Sequence, residues 1–410
     1  MTSTNLNYRT DLSALFGRQR RGWSLEQAFY TDPAIFELER ELWFPRQWTV
    51  MAHVSELSRK GDYVLRDLFG NDVILVNSGD GGFAAFHNVC THRGSRICRG
   101  DGHAPMLVCP YHAWSFRLTG ELQSGRELPE GIDPATMGLH PVAVRESGGL
   151  IFCGLDSVQL PELAPALDAY APSLQLHGLD RAKIAVRRSY ATEANWKLVL
   201  ENFFECYHCR PSHPEYFRLN GHVSTTAIRD NAAASAWQEE VDTWLAAPGR
   251  HCSTPVREVG GVDQVKYSVY RQPIGRGRQT HSRDGAPVAP LMGEFSAYDG
   301  GETGIHFGRF CFGGGYNDHF VLFQFVPRAV EDTDVVATWF VDADTDLDTL
   351  DIDALTFLWD VTTIQDKRII EDNAAGVRSC AYRPGPYTAL EQQSADFAWT
   401  YVEAMRELTG

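Results

Sequence analysis

The sequence predicts an α+β protein built from two units, and three observations carry that reading. Between Gly61 and Leu155, short β-rich runs alternate with Gly, Asn and Asp turns, the texture of antiparallel hairpins. Beyond that stretch, strands and helices come in blocks rather than in strict β-α-β alternation. The length, 410 residues, exceeds the roughly 250–300 at which a single core tends to divide. The expected divisions are an N-terminal helical segment at 1–45 that packs on the larger unit, a small β domain at 46–157 and a larger domain at 158–410.

Taken in order, "SLEQAFYTDPAIFELERELWFPRQWTV" (24–50) reads as a helix opened by Asp32-Pro33 and closed by Pro45. "DYVLRDLFGNDVILVNSGDGGFAAFHNVC" reads as hairpins, and this character runs on through "GGLIFCGL" at 148–155. "SVQLPELAP" then resembles a linker. "NWKLVLENFFECYHC", from Asn195 to Cys209, has the apolar spacing of one buried helix. "HFVLFQFVPRAVEDTDVVATWFVDADT" reads as two long strands joined by a polar turn. "DALTFLWDVTTIQDKRIIEDNAAG" and "EQQSADFAWTYVEAMREL" read as helices.

Composition narrows the function. A hydrophobic content of 43% with 22% charged residues belongs to a globular protein, and no apolar run reaches the ~20 residues a membrane span needs. The N-terminus has no signal-peptide core. A formal charge of −16 disfavours nucleic-acid binding, which needs clustered Lys and Arg. The densest basic run, "GRQRRG", reads as a solvated tail or subunit contact. Nine cysteines at irregular spacings argue against a disulfide framework and for a reducing, cytoplasmic setting.

Chemistry concentrates in two stretches. In "CTHRGSRICRGDGHAPMLVCPYHAWSF", Cys90 pairs with His92 and Cys109 with His112, with sixteen residues between the pairs. A zinc finger would place both cysteines in one pair and both histidines in the other. Here each turn supplies one thiolate and one imidazole. That suits a [2Fe–2S] cluster in which the cysteines hold one iron and the histidines the other, the Rieske ligand set. Gly94 and Pro110 fit tight loops whose N–H groups reach the sulfurs, whereas His87 and Cys98 read as structural. The second stretch, "ENFFECYHCRPSHPEY", places Glu205 and His208 three apart and His213 five further on, past Pro211. Two histidines and a carboxylate leave one face of iron(II) open to O2 and substrate.

Taken together, these motifs resemble the Rieske non-haem iron oxygenase α-subunits over nearly the whole chain. The resemblance implies a small all-β Rieske domain plus a helix-grip catalytic domain, whose central antiparallel sheet is flanked by helices. It implies that the iron carboxylate comes from a C-terminal helix and is followed ten residues later by Gly. Asp366 with Gly376 fits that pattern, with Asp360, Glu371 and Asp372 as competitors. It assigns His208, His213 and Asp366 to the mononuclear iron, and makes Glu205 a bridge that carries electrons between subunits. Glu stands where Asp is usual, the spacing is one residue tighter than in the ring dioxygenases, and a share of the role for Glu201 stays open. The implied partners are two further copies in a head-to-tail homotrimer and a flavin/iron–sulfur reductase that draws on NAD(P)H. The co-substrate is O2.

"ENxxECYHC" and the late Gly385-Pro386-Tyr387 are similar to the group that oxidises quaternary ammonium compounds such as proline betaine, glycine betaine and carnitine. The expected reaction is N-demethylation of a betaine-type small molecule. Candidates for an aromatic box are Phe203, Phe204, Trp237, Trp244, Tyr267, Tyr270 and Phe310. The alternatives are hydroxylation of an aromatic ring or acid, and a non-catalytic Rieske electron carrier. A carrier has no use for His208, His213 and Asp366.

Overall fold

A computed structural model of the chain describes residues 12–79, 82–220, 231–247, 256–258, 264–275 and 277–410. After α1 (Gln27–Thr31), the Asp32 side chain accepts the Ala34 N–H and opens α2 (Pro33–Leu38). The helix then widens into a π turn at Glu39–Trp43 and tightens at Phe44–Arg46. It stops around Pro45, which cannot donate to the ladder.

The first sheet holds seven strands: β1 (Thr49–His53), β2 (Asp62–Leu68), β3 (Asn71–Gly79), β4 (Gly82–His87), β5 (Gly102–His103), and then β9 (Pro141–Ser147) and β10 (Leu150–Gly154). Their order is β1-β10-β9-β4-β3-β2-β5, and every pair is antiparallel. Three short strands, β6 (Leu107–Val108), β7 (Ser115–Phe116) and β8 (Leu122–Ser124), form a separate small sheet. Strand β3 explains how this domain is seated. Ile74 and Val76 point into a core that contains Cys90, Cys109 and Trp114, while Val73 and Leu75 point into a core shared with the rest of the chain. Alternating side chains on one strand therefore serve two cores.

The second sheet is also seven-stranded and antiparallel: β11 (Lys183–Thr192), β12 (Val256–Glu258), β13 (Tyr267–Pro273), β14 (Gly301–Phe307), β15 (Cys311–Gly315), β16 (Phe320–Ala329) and β17 (Asp332–Val341). The order is β11-β17-β16-β15-β14-β13-β12. One face packs on α3 (Ala164–Leu176) and on β1 and β10 through Phe320, Leu322 and Phe340. The other face holds Val321, Phe323, Phe325 and Trp339. Against it lie α4 (Trp196–Phe203), α8 (Ile352–Val377) and α9 (Gln392–Thr409), with α5 (Cys209–Ser212), α6 (Pro214–Leu219) and α7 (Asn231–Ala246) between them in sequence. The fold is thus α+β with a sheet gripping its long helices, as expected. Residues 155–163 carry no regular structure beyond a turn, in keeping with a linker.

One element differs from expectation. The helix expected across 195–209 is capped by Asn195, whose side chain accepts the Lys197 N–H, but it ends at Phe203. The Glu205 carboxylate accepts the backbone N–H groups of Tyr207 and His208, which draws the chain into a turn instead of another helical step. Glu205 and His208 therefore meet across a turn, not along one helical face. A Cys206–Cys209 disulfide closes the same turn. Among the described residues the expectation of no disulfide framework needs that one local exception, since Cys90, Cys98, Cys109, Cys153, Cys311 and Cys380 are free.

The N-terminal segment is locked to the larger unit by a buried ion pair. Lys197 Nζ lies 2.5 Å from Glu39 Oε1, and neither side chain is exposed to solvent. Trp196 Nε1 donates to Glu39 Oε2 at 2.7 Å, and Tyr401 also donates to Glu39. In "GRQRRG", Arg20 stacks on Trp23 and Arg21 faces Trp399 of α9, so the run packs on the fold. No helix among the described residues is long and apolar enough to cross a membrane.

Candidate active site

The first site is a pair of matched loops. Gly94 N donates to Cys90 O at 2.9 Å and Ala113 N to Cys109 O at 3.0 Å, so each loop closes four residues after its cysteine. Gly94 and Ala113 both take positive φ, 74° and 59°, a conformation that only Gly adopts at no steric cost. Cys90 and Cys109 are buried, while His92 is exposed and His112 half-buried, so the histidine edge faces out. Their rings lie 4.6 Å apart, and His92 stacks on Trp114. Burial opposes ionisation of Cys109, but the N–H groups of Tyr111 and His112 and the Cys90 thiol outweigh it and hold the thiol below its ordinary pKa. His112 Nδ1 is buried with no hydrogen-bond partner among the described residues, as fits a nitrogen reserved for a metal. Cys98 is packed near Tyr63, with burial pushing its thiol up to about 11. His87, at the end of β4, donates its N–H to the His140 carbonyl.

The second site is assembled from distant segments. His208 and His213 flank α5, and Asp366 lies on α8 in a buried stripe with Trp359, Thr362, Thr363 and Ile370. His208 Nε2 and His213 Nε2 approach Asp366 Oδ1 to 3.2 and 2.9 Å. Donors bound at about 2.1 Å and at right angles would stand about 3 Å apart, so both His–Asp366 separations fit ligands of one divalent metal. Burial would lower the His208 pKa, but the Asp366 and Glu205 carboxylates outweigh it and carry it up to about 9. Asp366 is buried, yet its bonds from both histidines hold it below the usual carboxylate value. Cys209 Sγ is 4.0 Å from His208 Nε2, but the disulfide ties it up.

Glu205 Oε1 lies 2.5 Å from His208 Nδ1, on the opposite side of the imidazole from Asp366. That geometry suits a residue that orients the histidine and not one that shares its metal. Glu201 faces elsewhere. Its carboxylate accepts Tyr30 Oη at 2.9 and 3.0 Å. The Gly385-Pro386-Tyr387 segment ties the C-terminal region to Gly22 and Ser24 through backbone hydrogen bonds. The competing carboxylates are engaged on other business: Asp360 with Arg188 and Tyr190, and Glu371 with Lys367 and the Glu193 N–H, while Asp372 is exposed.

A cavity of about 500 Å³ opens on the His208–His213–Asp366 set. Of the aromatic candidates, Phe203, Phe204 and Tyr270 line it. Trp244, Tyr267 and Phe310 are spent on packing elsewhere, and Trp237 is not in the wall. The reading from sequence missed Tyr216, Phe312, Trp359, Gln272 and His306, all in the wall. It also missed Gln365, whose Oε1 accepts from His213 Nδ1–H at 2.9 Å while its Nε2 donates to Glu215. Helical spacing could have flagged two of these, because Tyr216 stands three residues after His213 and Trp359 seven before Asp366. The strand residues carry no such signal.

A β domain with two mixed Cys/His loops, joined to a sheet-and-helix domain presenting two histidines and a carboxylate, defines the Rieske non-haem iron oxygenases. Residues 47–139 match the Rieske [2Fe-2S] domain family and residues 179–407 the ring hydroxylating alpha subunit (catalytic domain) family, and the chain belongs to that oxygenase family. Its members combine a Rieske cluster with a mononuclear catalytic iron.

Among relatives, the glycine betaine monooxygenase oxygenase subunit of Chromohalobacter salexigens is 34% identical, over 96% of this chain and 89% of its own length. The carnitine monooxygenase oxygenase subunit of Escherichia coli is 39% identical over 48% of this chain and 54% of its own. Among solved structures, the quaternary ammonium Rieske monooxygenase CntA aligns with a TM-score of 0.69 at 22% identity, covering 96% of this chain and 97% of CntA. Naphthalene 1,2-dioxygenase from Rhodococcus sp. aligns at 0.65 and 19% identity, covering 99% of each chain. At these identities the two structures speak for the fold.

Proposed function

We propose that this chain is the oxygenase component of a cytoplasmic, reductase-dependent monooxygenase that removes an N-methyl group from a betaine-type quaternary ammonium compound. The observation that carries the reading is the aromatic wall of Phe204, Tyr216, Tyr270, Phe312 and Trp359 facing the two histidines and Asp366. A quaternary nitrogen has no N–H to donate, so only aromatic faces and negative charge recognise it. The sequence likeness to glycine betaine monooxygenase subunits, along almost the whole chain, supports the same substrate class.

In this reading Cys90 and Cys109 hold one iron of the [2Fe–2S] cluster and His92 and His112 the other, with the exposed histidine edge as the exit for electrons. His208, His213 and Asp366 hold iron(II), which when bound supplies O2 activation. Gln365 and Glu205 fix the two imidazoles by their Nδ1 atoms. Glu205 joins the cluster of a neighbouring copy to His208 in a head-to-tail trimer, a heterologous interface that closes. The aromatic wall holds an N-methyl group toward the metal side and keeps water off it. With two electrons from NAD(P)H through the reductase, two protons and O2, the methyl C–H becomes C–OH and one water leaves. The carbinolamine then breaks its C–N bond to give formaldehyde, the tertiary amine and a proton.

The test is incubation of the metal-loaded protein with a reductase, NADH and O2 across a panel of betaines and aromatic acids. Formaldehyde in equal amount with the demethylated amine is the expected product. Ring or side-chain hydroxylation of an aromatic acid, with no betaine turned over, would replace this reading.

A further inference from the structure

We propose that Glu302 is a specificity-determining residue, a buried carboxylate behind the cavity wall whose negative charge selects a cationic head group over a neutral one of the same shape. The inference rests on the quaternary-ammonium reading above and names the group that would enforce it.

Glu302 sits on β14, directly opposite Gln272 of β13. Its side chain is almost wholly removed from solvent, at 6% exposure for the residue. Gln272 Nε2 donates to Oε1 at 2.6 Å, and His281 Nε2 lies 3.3 Å from Oε2 and 2.7 Å from Asn220 Oδ1. Gln272 itself lines the cavity, so the carboxylate stands one side chain behind the wall. Its charge also reaches two other wall residues, Tyr216 and Tyr270, and raises the pKa of each beyond the effect of burial.

The sheet separates this charge from the nearby cation. Glu302, Gly304 and His306 alternate to the cavity face of β14, whereas Thr303, Ile305 and Phe307 alternate to the other. Arg271 belongs with that other face. It donates to Thr303 and pairs with Asp299 at 2.6 Å. Gly304 completes the arrangement, because a Cβ there would come within 2.1 Å of the Tyr270 ring. Without it, Tyr270 lies across the strand and brings an aromatic face next to the carboxylate.

A buried carboxylate is costly to keep, and such groups cluster where a site needs the charge. Burial pushes Glu302 up to about 7 even against its Gln272 bond and Arg271, so its ionised form gains from a cation nearby. An aromatic face attracts an onium group weakly. A full negative charge behind it, in a medium of low dielectric, adds attraction that a neutral isostere cannot receive.

The bland rival is that Glu302 merely pins Gln272 and His281 across the strands. Glycine betaine and 3,3-dimethylbutanoate, which replaces the quaternary nitrogen by carbon, separate the two. The readout is the dissociation constant of each with the metal-loaded, full-length protein. The wild type is expected to prefer the betaine, and Glu302→Gln to cut that preference by about tenfold or more while leaving the isostere within about threefold. Glu302→Asp should keep part of the preference. Gln272→Met breaks the strand-to-strand bond and leaves the charge, so it should keep most of it, and it decides the matter if Glu302→Gln does not fold. An undiminished preference in Glu302→Gln, an equal loss for both ligands, or a preference abolished by Gln272→Met overturns the proposal. A wild type that does not favour the betaine overturns the quaternary-ammonium reading itself.

Discussion

Asp366 is the residue on which the candidate site closes, because among the described residues it alone contacts both His208 and His213 at their Nε2 atoms. Asp366→Ala should lose mononuclear iron and turnover but keep a reducible cluster, read by metal analysis and visible absorption. If iron survives there and disappears in Asp360→Ala, the carboxylate has been misassigned. Gly304 is a second residue whose substitution is informative. Its backbone φ is ordinary, so Gly304→Ala strains nothing locally, but the new methyl must push Tyr270 off the strand. The expected result is a KM raised roughly tenfold, with cluster and iron content unchanged, since about one well-made contact in a pocket is lost.

At the scale of elements, the joint between the N-terminal segment, α4 and α9 is held by Glu39, Lys197, Trp196 and Tyr401. Burial lowers the Lys197 pKa, and the Glu39 charge and hydrogen bond oppose that. Glu39→Ala leaves an ammonium buried without its carboxylate, and should cost about 3–5 kcal/mol in denaturant unfolding. Replacing both partners, Glu39→Gln with Lys197→Met, should recover most of that loss, because the charge needing a partner is gone. A double variant no better than Glu39→Ala would show that packing rather than charge holds the joint.

Glu201, on the same helix, gives a pH signature. Burial raises its pKa to about 7 although Tyr30, Tyr387 and Lys197 act the other way. The folded chain therefore holds a proton there that the unfolded chain has released above about pH 4.5. Its contribution to stability falls as pH rises from about 4.5 to 7 and is level beyond. Glu201→Gln removes that dependence, so over this window the variant should gain on the wild type by on the order of 3 kcal/mol. A difference that does not change with pH would mean that Glu201 titrates normally.

At the scale of the molecule, one hydrophobic core runs from Leu12 through the β3 face of the Rieske domain to α9, so the two domains share an interior. In the proposed trimer, electron delivery is where assembly matters. In the proposed bridge, Glu205→Gln should keep both metals and slow turnover, because glutamine cannot place a negative charge between two histidine N–H groups. Mixing Cys109→Ala protein, expected to lack the cluster, with Asp366→Ala protein should restore partial activity once subunits exchange. No recovery after proven exchange would mean that electrons pass within one chain.

The cluster loops and the His208–His213 pair were legible in the sequence because their geometry is local. Each proposed ligand pair lies within one tight loop closed by its own backbone, so spacing alone places the donors. Asp366 needed the family pattern, since it meets His213 from 153 residues away and helical periodicity marks a buried stripe without saying what the stripe faces. The Glu205 turn was misread as helix because its apolar spacing is helical, while a side-chain carboxylate captures the backbone N–H groups. The cavity wall was decided by tertiary structure alone. Alternation along β13 and β14 says which residues share a face, but both faces of this sheet are buried. Only the packing of α4, α6 and α8 determines that Tyr270, Gln272 and His306 face His208, His213 and Asp366, while Arg271 and Thr303 face away.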